Sequence, residues 1–137
     1  MLGAVDHVGY LAFELDEAIE EFAAVFGVEV ARRFERPGFS IVGAYLGPGR
    51  GSIEVFTFTD RDLNARRLAG AGTMLDHVAY EVSDIDAVAA SMRHAGVRFA
   101  GPDLRSELHE PVEIDGVRHL WTLPETSCGQ TIQLLQR

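Results

Sequence analysis

The sequence holds one cysteine, Cys128, so no internal disulfide can staple the fold, which fits a reducing compartment. None of the local signatures of a nucleophilic cysteine surrounds it. No apolar run approaches the ~18 residues of a membrane span, and the N-terminus lacks the pattern of a secretory signal. These absences lead us to expect a cytoplasmic protein with no membrane partner. Basic residues are outnumbered: 12 Lys and Arg stand against 21 Asp and Glu, for a net charge of −9. The arginines do not cluster, so the chain is no nucleic-acid binder, and they mark no phosphate site. The negative charge serves solubility.

Its 137 residues are 47% hydrophobic, enough for one compact domain with a proper core. The chain states one pattern twice. Val5-Asp6-His7-Val8-Gly9-Tyr10 returns as Leu75-Asp76-His77-Val78-Ala79-Tyr80. Each copy leads into an acidic helix start, a helical repeat and a Gly-Val stop (Gly27-Val28, Gly96-Val97). Each half closes on a second echo, Ile53-Glu54-Val55-Phe56 and Ile132-Gln133-Leu134-Leu135.

The first strand spans residues 4–12, with His7, Gly9 and Leu11 on one face. A helix follows over 16–26, capped by Asp16, ended by Gly27, and burying Ile19, Phe22, Ala23 and Phe26. Strands follow near 28–34, 39–46 and 52–57, separated by Arg36-Pro37-Gly38 and Gly47-Pro48-Gly49-Arg50-Gly51. Residues 61–73 are polar, end in Ala69-Gly70-Ala71-Gly72, and read as a linker between modules 1–60 and 74–137. The second module has a strand at 74–82 and a helix at 84–95 that turns Ile85, Val88, Ala89 and Met92 inward. Further strands fall near 98–100, 111–114, 117–123 and 131–136, with Asp115-Gly116 as a hairpin turn. Each half thus reads β-α-β-β-β, an α+β class. One such unit cannot cover its own sheet, and pairing two by a pseudo-twofold axis solves that.

A twofold brings matched positions together. His7 and His77 lie on the two first strands, Glu54 and Gln133 on the two last. Two imidazoles, a carboxylate and an amide oxygen suit one divalent ion, Zn, Co, Ni, Mn or Fe, with positions left for water or substrate. A lone histidine on an apolar strand is more often a hydrogen-bonded core residue. Two at equivalent places, each with a polar partner on an otherwise apolar strand, point to a shared site.

These residues resemble the vicinal oxygen chelate superfamily, the glyoxalase/bleomycin resistance/dioxygenase proteins. The likeness spans the chain: Asp6-His7-Val8, Gly51-Ser52-Ile53-Glu54, the run from Asp76 to Ile85, and Gly129-Gln130-Thr131-Ile132-Gln133. It is closest to methylmalonyl-CoA epimerases, through the helix start at Asp84-Ile85-Asp86-Ala87-Val88, Ala95-Gly96-Val97 and Pro124-Glu125-Thr126-Ser127. The resemblance implies two βαβββ modules in tandem forming a cup-shaped, mixed sheet with helices outside, a metal on His7, Glu54, His77 and Gln133, and a homodimer. Such epimerases usually carry Glu at the last position, where Gln133 stands. Here the carboxylate is on the first module, as if the halves were exchanged.

The implied function is metal-dependent isomerisation, epimerisation or lyase chemistry beside a carbonyl of a small acid or thioester. Glu54 is the first candidate base, Glu81 the second, since it lies four residues after His77 on the same strand face, and His119 the third. A second reading is a drug- or natural-product-binding protein without turnover, with Trp121, Tyr45, Phe39 and Phe56 lining an apolar cup. A third is an Fe(II) dioxygenase on two histidines and one carboxylate, although that family's carboxylate usually comes from the last strand.

Overall fold

The computed structural model describes all 137 residues. They divide into two compact units, residues 7–76 and residues 1–6 with 77–137. The class is mixed α+β. No helix is long and apolar enough to cross a membrane.

The 7–76 unit runs β1 (Val5–Ala12), α1 (Leu15–Phe26), β2 (Val30–Arg36), β3 (Ile41–Leu46), β4 (Ile53–Phe58) and α2 (Arg61–Leu68). Its strands are ordered β2-β3-β4-β1, with β1 parallel to β4 and the other pairs antiparallel. His7, Gly9 and Leu11 are fully buried along β1, as alternation requires. Tyr10 points the other way, toward α1, and its ring meets Phe22 at 5.0 Å.

Two expectations for this half need correction. Helix α1 begins one residue early, at Leu15, so Asp16 sits in the first turn and pairs with Arg33 on β2 at 3.0 Å instead of capping. The buried stripe is correspondingly Leu15, Ala18, Ile19 and Phe22, packed on Ala12, Ala44, Leu46 and Val55. Ala23 and Phe26 are exposed, because the small side chains beneath α1 receive only its first two turns.

The stretch read as a linker holds α2. Four of its eight residues are charged, which hid the amphipathic pattern. Asp60 caps it by accepting from the Leu63 N–H at 3.1 Å. Leu63 and Leu68 pack on Leu11, Ile41, Phe56 and Phe58. Leu11 shares its strand face with His7, and Phe56 and Phe58 share theirs with Glu54. Helix α2 therefore covers the apolar end of the very face that carries the polar residues.

The second unit runs β5 (Thr73–Glu81), α3 (Ile85–His94), β6 (Phe99–Ala100), β7 (Val112–Ile114), β8 (Val117–Thr122) and β9 (Thr131–Gln136), in order β5-β9-β8-β6. Strand β5 is parallel to β9. Two short strands share one edge: β6 pairs with Trp121 and Thr122, β7 with residues 117–119 of β8. The intervening loop splits what is one strand, β2, in the other half. Asp84 caps α3 by accepting from the Ala87 N–H at 3.0 Å, and Ile85, Val88 and Ala89 are buried with Phe99, Leu120 and Leu134. Asp115 and Gly116 both take positive φ (52° and 78°), the two-residue hairpin geometry.

Candidate metal centre

In the 7–76 unit, β1 and β4 run parallel with Gly9 opposite Glu54. His7, two residues earlier, is 2% exposed and Glu54 9%. His7 Nε2 lies 3.3 Å from Glu54 Oε2. The six-residue connection between Leu46 and Ile53 fixes β3 against β4 so that Tyr45 faces Glu54. Gly51 makes that turn possible: its φ is +82°, and a Cβ there would lie 2.9 Å from Leu46 backbone. The Tyr45 ring meets His7 edge-on at 5.3 Å and Phe34 at 5.0 Å, and the Arg32 guanidinium covers it at 4.3 Å. Burial and the Glu54 carboxylate, which accepts from the Tyr45 hydroxyl, push that phenol far above its usual range, with Arg32 and Arg36 opposing. The result is a buried carboxylate held by an imidazole and a phenol.

The other unit repeats the register. Strands β5 and β9 run parallel with Ala79 opposite Gln133, and His77 again comes two residues earlier. His77 and Gln133 are both buried. Across the antiparallel pair, Trp121 faces Gln133 as Tyr45 faces Glu54. Gln133 Nε2 is 3.0 Å from His119 Nδ1, and the His119 ring stacks on Trp121 at 5.6 Å and 12°. Gln133 Oε1 is buried and has no hydrogen-bond partner. An orphaned carbonyl oxygen at the position where its counterpart carries a carboxylate is a donor set that fits a metal ion.

Sequence reasoning thus named the buried His, Glu and Gln of these strands, though not the buried Thr131 that begins β9. Glu81, the second candidate base, is exposed at the end of β5, where Arg137 binds it at 3.1 Å and Asp6 at 2.7 Å. His119 stands beside Gln133. Of the aromatic cup residues, Phe39 and Phe56 belong to the core over α2, while Tyr45 and Trp121 flank the polar positions. The role of Tyr45 as a donor to Glu54 was missed. Counting outward from a 47–51 turn sets Ala44 opposite Glu54; the turn runs one residue further, to Ser52, and that shift brings Tyr45 there.

Each unit carries a buried histidine and a buried oxygen donor at the same register, which marks a duplicated module. The chain belongs to the Glyoxalase/Bleomycin resistance protein/Dioxygenase superfamily, whose family model matches residues 6–110. Comparison with curated protein sequences gives no match. Among solved structures, it is similar to a crystallised methylmalonyl-CoA epimerase (TM-score 0.77, 28% identity, 99% of this chain and 97% of that one). It is similar to a variant of the Streptomyces coelicolor methylmalonyl-CoA epimerase in complex with 2-nitronate-propionyl-CoA (TM-score 0.78, 26% identity, 99% and 98%). The Mycobacterium tuberculosis methylmalonyl-CoA epimerase matches in fold (TM-score 0.80, 24% identity, 98% and 88%).

Proposed function

We propose that the protein is a divalent-metal-dependent epimerase or isomerase that moves a proton beside the carbonyl of an acyl thioester, with His7, Glu54, His77 and Gln133 holding the cation. The observation that carries this reading is the common register. Gly9–Glu54 and Ala79–Gln133 are equivalent pairs, and each is preceded two residues earlier by a buried histidine. The buried Gln133 Oε1 has no hydrogen-bond partner, which is costly unless a ligand supplies one, and a cation would do so. When bound, such an ion acts as a Lewis acid on a substrate carbonyl.

The chain's own residues supply the rest. Glu54 is the base: its carboxylate accepts the α-proton, while the Tyr45 hydroxyl holds its orientation. Gln133 cannot accept a proton at neutral pH and presents only an oxygen donor. Glu81 is committed to Arg137 and His119 to Gln133, so neither is the first choice for proton transfer. The substrate class follows from the likeness to epimerases solved with 2-nitronate-propionyl-CoA and with methylmalonyl-CoA.

The test is α-proton exchange in deuterated water, followed by NMR on a panel of branched acyl-CoA thioesters and 2-oxoaldehyde–thiol adducts, with metal content measured alongside. Wild-type protein should carry near-stoichiometric metal and exchange at least one thioester. Glu54→Gln should slow exchange by about 10²-fold or more, and His77→Ala should lose the metal. A wild type that stays metal-free after reconstitution and exchanges nothing would replace this reading with that of a binding protein without turnover.

A further inference from the structure

Gln133 is an amide, and only one of its two ends can serve a cation. A carboxylate at this position would offer oxygen either way round. An amide turned by 180° would offer an N–H₂ group, which repels a cation. The site therefore needs something that fixes the flip. Two observations within one unit supply it. Gln133 Nε2 lies 3.0 Å from His119 Nδ1. Gln133 Oε1 is buried and accepts nothing.

We propose that His119 is a positioning residue that orients the Gln133 amide, taking its N–H₂ end and so presenting its carbonyl oxygen to the cation. The proposal rests on the metal reading above. The amide donates and the ring nitrogen accepts, so Nδ1 carries no proton and the ring proton sits on Nε2. The ring is itself held. It stacks nearly parallel on Trp121, which is 5% exposed and lies two residues further along β8 on the same face. The antiparallel pairing places Trp121 directly opposite Gln133, so ring, stack and amide form one packed row across β8 and β9.

The arrangement also accounts for a glutamine where a carboxylate is usual. With the amide flip enforced, Gln133 gives the neutral oxygen that complements the charged Glu54. The ligand set then carries one negative charge, like that of a site with the carboxylate and amide exchanged.

Partners of this kind, which touch a ligand and not the metal, typically change metal affinity by about 10- to 100-fold when removed. The first measurement uses the wild type alone: long-range ¹H–¹⁵N NMR of His119. The expected result is the Nε2–H tautomer with an unprotonated, hydrogen-bonded Nδ1; a proton on Nδ1 overturns the proposal. The second compares Zn²⁺ and Co²⁺ dissociation constants, by chelator competition, for the wild type and His119→Phe. Phenylalanine keeps the stack on Trp121 and removes the acceptor. Affinity should fall about tenfold or more, with the thermal midpoint falling by no more than the several degrees that one stranded donor predicts and the Gln133 side-chain N–H₂ resonances shifted. If the wild type binds metal and His119→Phe binds it within twofold, this inference fails and the metal site stands. If the wild type binds no metal, the metal reading fails and the inference with it.

Discussion

Helix α2 hangs on one side chain, and removing it should be costly. Asn64 is 1% exposed and acts like a short piece of β-strand. Its Oδ1 accepts from the Phe58 N–H at 3.0 Å, and its Nδ2 donates to the Phe58 C=O at 2.7 Å and to Thr57 Oγ1 at 2.9 Å. Asn64→Ala strands the N–H of a residue that is only 2% exposed and leaves its C=O with only a long contact from Thr57 Oγ1, at 3.5 Å. A buried donor or acceptor left without a partner costs about 1–3 kcal/mol. One stranded donor and one weakly held acceptor set the loss at roughly 3 kcal/mol, since water entering the truncated space recovers part of it. For a domain of this size, with a total stability of about 10 kcal/mol, that lowers the melting midpoint by about 10 °C. The assay is urea unfolding with thermal melts on wild type and Asn64→Ala. A loss below about 1 kcal/mol would show that α2 is held by Leu63 and Leu68 alone, and that the strand-mimicking bonds add nothing.

Two further outcomes follow from local geometry. The Tyr45 phenol is raised by burial and by Glu54, so the folded chain keeps its proton where the unfolded chain would lose it. Stability from this group is intact below the ordinary phenol value of about 10 and declines above it. In chelator-treated protein, denaturant midpoints should fall steeply above about pH 10, and Tyr45→Phe should flatten that fall; identical alkaline profiles would refute the assignment. Gly43 sits where a Cβ would meet Phe34 Cζ at 2.5 Å and the Val55 carbonyl at 2.7 Å. Gly43→Ala should therefore cost about 1–3 kcal/mol and move the Phe34 ring off Tyr45, visible as changed aromatic NMR shifts; a neutral substitution would contradict the close packing of β3.

The repeat was legible because it is written in side chains of unusual type at fixed offsets. A histidine two positions before a Gly or Ala, and a single Glu or Gln inside an apolar strand, survive any uncertainty about where a strand starts. The start of α3 was readable to within a residue for a similar reason, since Ser83 and Asp84 both offer a cap ahead of an apolar stripe, and Asp84 takes that role. The α1 boundary was not. Asp16 is as good a cap as Asp84 by type, but Arg33 on a distant strand claims its carboxylate and the helix starts before it. Helix α2 was invisible because its charged residues outnumber its two buried leucines, and its docking depends on Asn64 reaching a strand end six residues earlier.

By itself, then, the chain determined a duplicated α+β unit and the four polar residues that the duplication matches, because local periodicity and residue type carry that information. Only the tertiary structure decided how those residues are held. Strand register put Tyr45 on Glu54 and the His119–Trp121 row on Gln133. Those partnerships lie 9 and 14 residues apart in sequence and are set by turn geometry and pairing, which no single-strand pattern encodes.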